Sequence, residues 1–455
     1  MGDLGQIFKA YDIRGVIPDT LDASVARAVG AAFAHVVDGD EIVVAHDMRP
    51  SSPELAAAFA EGASRQGRNV IMAGLGSTDL LYFASGKLGV PGAMFTASHN
   101  PAQYNGIKLC RAGAAPIGAD SGLAEIRALA EKGMPEHDGP AGTVTERDLL
   151  ADYAAHLRSL VDLSGIRRLR VVVDAGNGMG GHTVPAVLGD QLLDPLPLDI
   201  VPLYFDLDGT FPNHPANPMD AANLVDLQAK VRETGADMGL AFDGDADRCF
   251  VVDERGEPVP PSAVTALVAA QELAKEPGAT IIHNLITSKA VPEIVAERGG
   301  VPVRTRVGHS FIKATMAETG AVFGGEHSAH YYFRDFWKAD TGMLAAMHVL
   351  RVLGSDPRTL SEITAEYTRY ASSGEINSEV ADQAERTAAV EAAFAGREDV
   401  ESVDHLDGLT VNLSSGSWFN LRASNTEPLL RLNVEAPDAE SMAELRDEVL
   451  AIIRA

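Results

Sequence analysis

The sequence predicts an α/β protein of three similar mixed α/β domains and a smaller C-terminal α+β domain, arranged around a central cleft. Three apolar runs of the kind that forms buried parallel strands lie at 41–47, 170–176 and 280–284, and a segment of helical character follows each one. A second, shorter apolar run then ends in a polar loop in all three units. The order strand, helix, strand favours parallel βαβ units, in which ligands gather at the carboxyl ends of the strands.

Three polar loops, at 96–101, 243–248 and 326–330, are therefore expected to meet in one cleft. The helix of the first unit has recognisable ends, with Ser52 expected as the N-cap and Gly67 as the stop. Because the ends of this helix are defined, the loop at 96–101 is expected to follow the next strand of the same βαβ unit.

The last part of the chain has a different pattern, typical of a small α+β domain. Strand-like runs lie at 408–413, 418–421 and 429–434, and a closing helix begins after Asp438 with apolar residues on one face. The polar segment 371–374 is expected to be a linker. The expected domains are 1–150, 151–256, 257–370 and 371–455.

The charge of the chain argues against two classes of partner. Of the 455 residues, 37 are Lys or Arg and 64 are Asp or Glu, which gives a net charge of −27. This charge repels nucleic acid and anionic lipid, so neither partner is expected. Two cysteines, Cys110 and Cys249, fit a reducing compartment, and no apolar run reaches the ~18 residues of a membrane span. We expect a cytoplasmic protein, either a monomer or a dimer.

The second loop has the pattern of a cation site. Asp243, Asp245 and Asp247 alternate along it, which puts them on one side of an extended segment. Two carboxylates ~4 Å apart repel by about 4 kcal/mol at an effective dielectric of 20, so a trio calls for a cation. Oxygen ligands favour Mg²⁺ or Ca²⁺, although a solvated acidic turn is the simpler alternative. An EF-hand is excluded, because Arg248 occupies the position that requires glycine.

The segment 205–210 resembles the aspartyl-nucleophile motif of haloacid dehalogenase-type phosphatases. That fold needs several βα units between its nucleophile and its metal-binding carboxylates. Asp206 and Asp245 are too close in the sequence for this arrangement, so we interpret the match as accidental.

The first loop offers a nucleophile. Ser98 follows an apolar run and is accompanied by His99 and, further on, Lys108. A Ser–His pair is also common in hydrogen-bonded turns, which is the simpler interpretation. A hydroxyl beside a carboxylate loop, with cations nearby, provides what phosphoryl transfer requires: a nucleophile, a Lewis acid and positive charge.

Two further loops have donor sets suited to a sugar phosphate. The segment 422–428 offers a guanidinium, two hydroxyls and an amide, which suit one phosphate group. Glu326, Ser328 and His330 offer acceptors and donors for sugar hydroxyls. For both segments an ordinary surface loop is the alternative.

Together the motifs resemble those of the α-D-phosphohexomutase superfamily, over essentially the whole chain. Five segments carry the resemblance in family order: 8–15, 96–101, 243–248, 325–330 and 422–428. The resemblance implies four domains around a cleft, Mg²⁺ as cofactor and small sugar phosphates as substrates.

The resemblance also implies roles for individual residues. Ser98 would carry the phosphoryl group, and its oxygen would join Asp243, Asp245 and Asp247 around Mg²⁺. The residues implied in charge stabilisation and proton transfer are Arg14, Lys108 and His309. Those implied in substrate binding are Tyr11, His99, Arg248, Glu326, Ser328, His330, Arg422, Ser424, Asn425 and Thr426.

Mannose phosphate is the expected substrate. The segment 425–427 looks more like the phosphate clamp of members that act on mannose phosphate than that of the glucosamine phosphate members. His327 and Ala329 depart from the methionine and glycine that dual-specificity members tend to have. We expect an isomerase that interconverts mannose 6-phosphate and mannose 1-phosphate through a phosphoserine and a hexose 1,6-bisphosphate.

Other functions remain as alternatives to this one. Within the superfamily, the alternatives are a dual-specificity phosphoglucomutase activity and a phosphoglucosamine mutase activity. From other classes, a phosphoserine phosphatase-like hydrolase would need an open, wet site, which a four-part cleft argues against. A non-catalytic sugar-phosphate sensor could lose the serine or an aspartate, and this chain has them all.

Overall fold

The chain forms four β-sheets, each built from one continuous stretch of sequence and covered by helices. The computed structural model describes residues 3–135, 137–424 and 429–455. We call the units built on these sheets the first to fourth domains. The mixed α/β class and the smaller last domain are confirmed.

The first domain has a seven-stranded mixed sheet. Its elements are β1 (Ile13–Val16), α1 (Ala23–Val36), β2 (Glu41–His46), α2 (Ser52–Arg65), β3 (Asn69–Leu75), α3 (Thr78–Leu88), β4 (Gly92–Phe95), β5 (Tyr104–Arg111), β6 (Ala115–Pro116), α4 (Leu123–Lys132) and β7 (Val144–Glu146). The sheet order is β1-β5-β4-β2-β3-β7, with β6 beside β5. Strands β4, β2 and β3 are parallel, and β5 and β1 are antiparallel at one edge.

The second domain repeats this arrangement with five strands. Its elements are α5 (Leu150–Leu160), β8 (Leu169–Asp174), α6 (Gly180–Val187), β9 (Leu198–Leu203), α7 (Val225–Thr234), β10 (Met238–Phe242), β11 (Cys249–Val252) and β12 (Pro258–Val259). The order is β12-β11-β10-β8-β9, with β10, β8 and β9 parallel and β11 antiparallel to β10.

The third domain repeats it again. Its elements are α8 (Pro261–Lys275), β13 (Thr280–Asn284), α9 (Ala290–Glu297), β14 (Val301–Thr305), α10 (His309–Thr319), β15 (Phe323–Gly325), β16 (Tyr331–Phe333), β17 (Ala339–Asp340), α11 (Gly342–Ser355) and α12 (Leu360–Thr364). The order is β14-β13-β15-β16-β17, with β16 antiparallel to β15. In all three domains the polar loop therefore joins the last parallel strand to its antiparallel neighbour.

The fourth domain is an antiparallel five-stranded sheet with two helices. Its elements are β18 (Ala371–Glu379), α13 (Gln383–Phe394), β19 (Val400–Asp404), β20 (Leu409–Leu413), β21 (Trp418–Ala423), β22 (Leu429–Ala436) and α14 (Ala439–Ile453). The order is β18-β22-β21-β20-β19. Asp438 caps α14, as expected, by accepting a 2.9 Å hydrogen bond from the backbone N–H of Ser441.

Two local expectations are wrong. Ser51, not Ser52, precedes α2, and the Ser52 hydroxyl donates to the buried carboxylate of Asp47 at 2.6 Å. Leaving a buried carboxylate without a hydrogen-bond donor costs more free energy than leaving the helix N-terminus without a side-chain cap. The segment 371–374 is the start of β18 rather than a linker, because its backbone pairs with the edge of β22 through a bulge.

The hydrophobic core distinguishes the fourth domain from the others. One continuous cluster of buried side chains runs through the first three domains, including residues of α3, α5, β10 and α11. The first domain also has a cluster of its own, which includes residues of α1 and α2. The buried side chains of the fourth domain form a separate cluster and, among the described residues, contribute none to the shared one. Within the described ranges, no helix has the length and apolar character needed to cross a membrane.

Candidate active site

The three polar loops meet at a cavity of about 450 Å³. Residues of the first three domains line it, and many are ionisable. The lining residues are Lys9, Tyr11, Asp12, Arg14, Tyr82, Ser98, His99, Lys108, Leu109, Pro116, Asp247, Arg248, His309, His330 and Asp340. The expected convergence of the loops is therefore observed, and most of the lining residues are of polar or ionisable types.

Ser98 lies in the loop after β4, and its hydroxyl points to the loop that carries Asp243, Asp245 and Asp247. Its φ angle of +49° lies in the left-handed region, which side chains other than glycine rarely adopt. Strained backbone of this kind persists where the surroundings fix it. The Oγ atom donates a 2.7 Å hydrogen bond to Oδ2 of Asp243, which brings the serine and the carboxylate loop together across two domains.

Asp243, Asp245 and Asp247 are buried together in the loop between β10 and β11. One ligand oxygen from each lies within 4.8 Å of the others. Burial raises the pKa of Asp243 to about 7, with the other two carboxylates adding to the shift and Arg248 opposing it. Burial also works against ionisation of Asp245, but Lys108 and a threonine hydroxyl together hold its pKa below the usual range.

The carboxylate loop fits Mg²⁺. Oδ1 of Asp245 and Oδ1 of Asp247 are buried and have no hydrogen-bond donor among the residues described. Buried carboxylate oxygens without donors are costly unless a cation binds them. Because all the ligand atoms are oxygens, the site suits a hard cation such as Mg²⁺.

Cationic side chains surround the carboxylates. Nζ of Lys108 lies 2.7 Å from Oδ2 of Asp245 and 2.6 Å from Oδ2 of Asp247. Nε of Arg248 lies 3.0 Å from Oδ2 of Asp243. These pairs explain how the carboxylate charges are tolerated in the interior, and they place positive charge beside Ser98.

Arg14 adds a further cation at the wall of the cavity. Its Nε donates to Oδ2 of Asp12 at 2.8 Å, and its Nη1 donates to the carbonyl oxygen of Ala97 and to the side chain of Asn100. The guanidinium therefore lies against the serine loop.

Three histidines expected in the site line the cavity. Nδ1 of His99 lies 3.3 Å from Oγ of Ser98. Nδ1 of His330 lies 3.0 Å from Oγ of Ser328.

The ring of His309 packs edge-on against Tyr11, with 4.8 Å between the ring centroids. Burial, with a smaller contribution from the charge of Lys313, lowers the pKa of His309 to about 3, so the ring is neutral at pH 7.

Glu326 faces its own domain rather than the cavity. It is 2% exposed. Its Oε2 accepts a 2.6 Å hydrogen bond from Oη of Tyr332, and its Oε1 accepts a 3.2 Å bond from the N–H of Gly308. The carboxylate therefore fixes the start of α10, where His309 lies. Ser328 contacts the lining residue His330 but is not itself part of the lining.

The described residues of the expected phosphate clamp, Arg422 and Ser424, are not among the residues that line the cavity. Arg422 is at the end of β21, and its Nη2 is 3.8 Å from Oε2 of Glu375. The Ser424 N–H donates to the carbonyl oxygen of Leu429 at 2.8 Å, which closes the base of the loop. Asn425 and Thr426 lie outside the described residues. No described residue of the fourth domain lines the cavity.

Several cavity residues were missed by the sequence analysis. Asp12 lies inside a segment that carried the resemblance, and its spacing from Arg14 could have suggested the pair. Asp340 and Tyr82 had no such signal. Oδ1 of Asp340 lies 2.7 Å from Nζ of Lys313, which itself lies 4.1 Å from the centre of the Tyr82 ring. Tyr82 lies far in the sequence from Lys313 and Asp340, so no local pattern indicates that the three side chains meet.

Comparison with known proteins gives one consistent result. Models of the phosphoglucomutase/phosphomannomutase alpha/beta/alpha domains I, II and III match residues 5–137, 151–256 and 260–370, and the model of the C-terminal domain matches 375–452. A phosphomannomutase of Salmonella montevideo is 39% identical over 452 residues, which covers 98% of each chain.

Two further proteins give the same picture. A Xanthomonas campestris pv. campestris protein named phosphohexose mutases is 40% identical over 447 residues, again 98% of each chain. The crystal structure of a phosphoglucomutase/phosphomannomutase family protein from Burkholderia thailandensis has a TM-score of 0.88 and 33% identity, and the match covers 100% of this chain and 98% of that one.

Proposed function

The chain belongs to the phosphoglucomutase/phosphomannomutase family, and on that premise we propose that it is a Mg²⁺-dependent phosphomannomutase that interconverts mannose 6-phosphate and mannose 1-phosphate. The names of its full-length relatives support an isomerase of this kind. The observation that carries the proposal is the 2.7 Å hydrogen bond from Ser98 Oγ to Asp243, inside a cavity lined by cations.

In the proposed reaction Ser98 carries the phosphoryl group between the two ends of the sugar. The bond from phosphorus to Oγ of phospho-Ser98 breaks, a bond from phosphorus to the free sugar hydroxyl forms, and the hydroxyl proton passes to a base in the cavity. The resulting hexose 1,6-bisphosphate reorients in the cavity. Its other phosphoryl group is then transferred to Oγ of Ser98. Protonation of the oxygen that this phosphate leaves completes the cycle.

The residues around Ser98 supply what this transfer needs. Arg14 and Lys108 provide positive charge for the phosphoryl oxygens as negative charge spreads over them. We assign proton transfer to His309 because it lines the cavity. Burial lowers its pKa to about 3, so the ring is uncharged at pH 7 and would release readily any proton that it takes up. Asp243, Asp245 and Asp247, with Oγ of Ser98, would hold Mg²⁺, which would supply a Lewis acid for phosphoryl transfer.

Location and substrate preference are part of the same proposal. Two buried free cysteines support a cytoplasmic enzyme. Mannose phosphates are proposed ahead of glucose and glucosamine phosphates on the basis of the relatives named phosphomannomutase.

The phosphoryl-carrier role is tested by the Ser98→Ala variant. Intact-mass analysis should show one labile phosphate on the wild-type enzyme and none on the variant, and activity should fall at least ~10⁴-fold, as for removal of a nucleophile. Ser51→Ala, in a neighbouring loop outside the cavity lining, is the matched control and should keep both phosphate and activity. Full activity in Ser98→Ala, with no phosphate elsewhere, would show that the mechanism is wrong.

The substrate is tested separately. Coupled assays with the 1-phosphates of mannose, glucose and glucosamine should give the highest kcat/KM with mannose 1-phosphate. A higher value for another sugar would correct the substrate and leave the role of Ser98 intact.

A further inference from the structure

Thr78 is a buried residue of the first domain that contacts the carboxylate loop of the second. Its Oγ1 donates a 2.6 Å hydrogen bond to Oδ2 of Asp245. Its backbone N–H donates to the carbonyl oxygen of the same residue at 3.1 Å. Thr78 is 0% exposed, so no water competes for either bond.

These bonds determine which oxygen of Asp245 is available to a ligand. Oδ2 receives two donors, the hydroxyl of Thr78 and the ammonium of Lys108 at 2.7 Å. Oδ1 is buried and receives none from the described residues. Rotation of the carboxylate would break both charge-assisted hydrogen bonds, so its orientation is fixed. Oδ1 is thus the oxygen of Asp245 left for a cation, in a residue that clusters with Asp243 and Asp247.

Thr78 is itself held firmly at the start of α3. The next residue, Asp79, accepts 2.7 Å hydrogen bonds from Oη of Tyr153 and from Oγ1 of Thr341. Ser77 caps the helix by accepting a hydrogen bond from the N–H of Leu80. The first turn of α3 is therefore tied to α5 and to the start of α11, and this rigid support can hold a ligand-binding carboxylate in place.

We propose that Thr78 is a positioning residue for Asp245, and that its hydroxyl sets the affinity of the carboxylate loop for a divalent cation. The inference rests on the proposed function, because it takes Asp245 to be a metal ligand. Hydrogen-bond partners of metal ligands orient them and raise metal affinity, typically by 10–100-fold. Here the partner comes from a different domain than the ligand, so metal affinity depends on the packing of the first domain against the second.

Thr78→Val isolates the hydroxyl, because valine has nearly the same shape and keeps the backbone hydrogen bond. Dephosphorylated enzyme is titrated with Mg²⁺ by calorimetry and with Mn²⁺ by electron paramagnetic resonance. We expect ~10-fold weaker binding of both ions in Thr78→Val and less than ~3-fold change in Thr78→Ser, which restores the donor. Saturating Mg²⁺ should return kcat of Thr78→Val to near the wild-type value, which a merely structural defect would not allow.

Two controls make the result specific. Thr183→Val removes another fully buried hydroxyl, one that donates within α6 to the carbonyl oxygen of Met179, and metal binding should not change. If Thr78→Val does not fold, Thr78→Ala removes the same hydroxyl and carries the same expectation.

Wild-type metal affinity in the variant that lacks the hydroxyl would overturn the proposal. Asp245→Asn separates this failure from failure of the proposed function. If Asp245→Asn loses the ion and Thr78→Val does not, only the positioning role is wrong. If Asp245→Asn binds the ion as the wild type does, the metal loop itself is wrong, and the proposal falls with it.

Discussion

Arg49 donates a hydrogen bond from Nη2 to the carbonyl oxygen of Ser98 at 2.9 Å. The guanidinium is 1% exposed and also bonds the carbonyl oxygens of Asn100, Pro101 and Tyr104. One buried side chain therefore fixes the serine loop at four backbone positions. This explains how the loop maintains a left-handed conformation at Ser98.

Arg49→Met should destabilise the protein by about 3 kcal/mol or more, because it leaves the carboxylate of Asp47 buried without its cation. Nε of Arg49 lies 3.3 Å from Oδ2 of Asp47, and both side chains are fully buried. Chemical denaturation gives the free energy of unfolding. The matched control is Arg27→Met, which breaks the partly exposed ion pair with Glu61. It should hardly change the denaturant concentration at the midpoint of unfolding. Equal shifts for the two variants would contradict the structural role of Arg49.

Removal of Mg²⁺ should abolish turnover and leave the fold intact. Lys108 bridges Asp245 and Asp247 at 2.7 and 2.6 Å, so the loop keeps a cation after the metal leaves. Excess chelator should lower activity more than ~100-fold, and added Mg²⁺ should restore it. Circular dichroism in chelator should match that of the untreated enzyme. Undiminished turnover in excess chelator would remove the metal from the mechanism.

Asp79 should make the protein less stable as pH rises. Burial raises its pKa from 3.8 to about 6, although hydrogen bonds from Ser77, Thr341 and Tyr153 oppose the shift. The folded state therefore holds the proton more tightly than the unfolded state. The free energy of unfolding therefore falls by roughly 3 kcal/mol in total as pH rises from about 3.8 to about 6. Above that range Asp79 causes no further fall.

Asp79→Asn tests this pH dependence, because an amide can accept the bonds from Tyr153 and Thr341 and donate to Ser77 without carrying charge. The variant should be more stable than the wild type at pH 7, and the difference should shrink towards pH 4. Thermal unfolding across this range measures it. Asp152→Asn, at an exposed position of α5, should follow the wild-type curve. A constant difference at every pH would show that Asp79 does not titrate in the folded protein.

Substrate should draw the fourth domain over the cavity. Arg422 lies outside the cavity lining, next to Glu375, and its domain has its own core, so the domain can move as a unit. Small-angle scattering should show a smaller radius of gyration with mannose 1-phosphate. Closure would also protect phospho-Ser98 from water.

Arg422→Lys should raise KM by ~10-fold or more, because lysine cannot reproduce a bidentate contact with phosphate. It should also release more free bisphosphate, which chromatography of the reaction would detect. Arg446→Lys on the exposed face of α14 is the control and should change neither quantity. An unchanged radius, together with no extra bisphosphate from Arg422→Lys, would mean that the clamp is a passive anchor.

Local patterns in the sequence were enough to predict the repeated layout of the first three domains and the chemistry of their loops. Runs of apolar residues placed β2, β8 and β13 to within a residue or two, and the shorter runs placed β4, β10 and β15 before the loops with Ser98, the three aspartates and His330. These features depend on residues that are close in the chain, so local patterns are enough to predict them.

The contacts between distant parts of the chain, in contrast, could be read only from the folded protein. Thr78 and Asp245 are 167 positions apart, and the bond from Arg49 to Ser98 spans 49 positions. The bonds that Glu326 accepts from Tyr332 and from the N–H of Gly308 had no signal in the sequence either. Such pairings depend on which buried polar groups lack a partner once the sheets have packed, because an unpaired buried group is costly. No periodicity or spacing in the sequence carries that information.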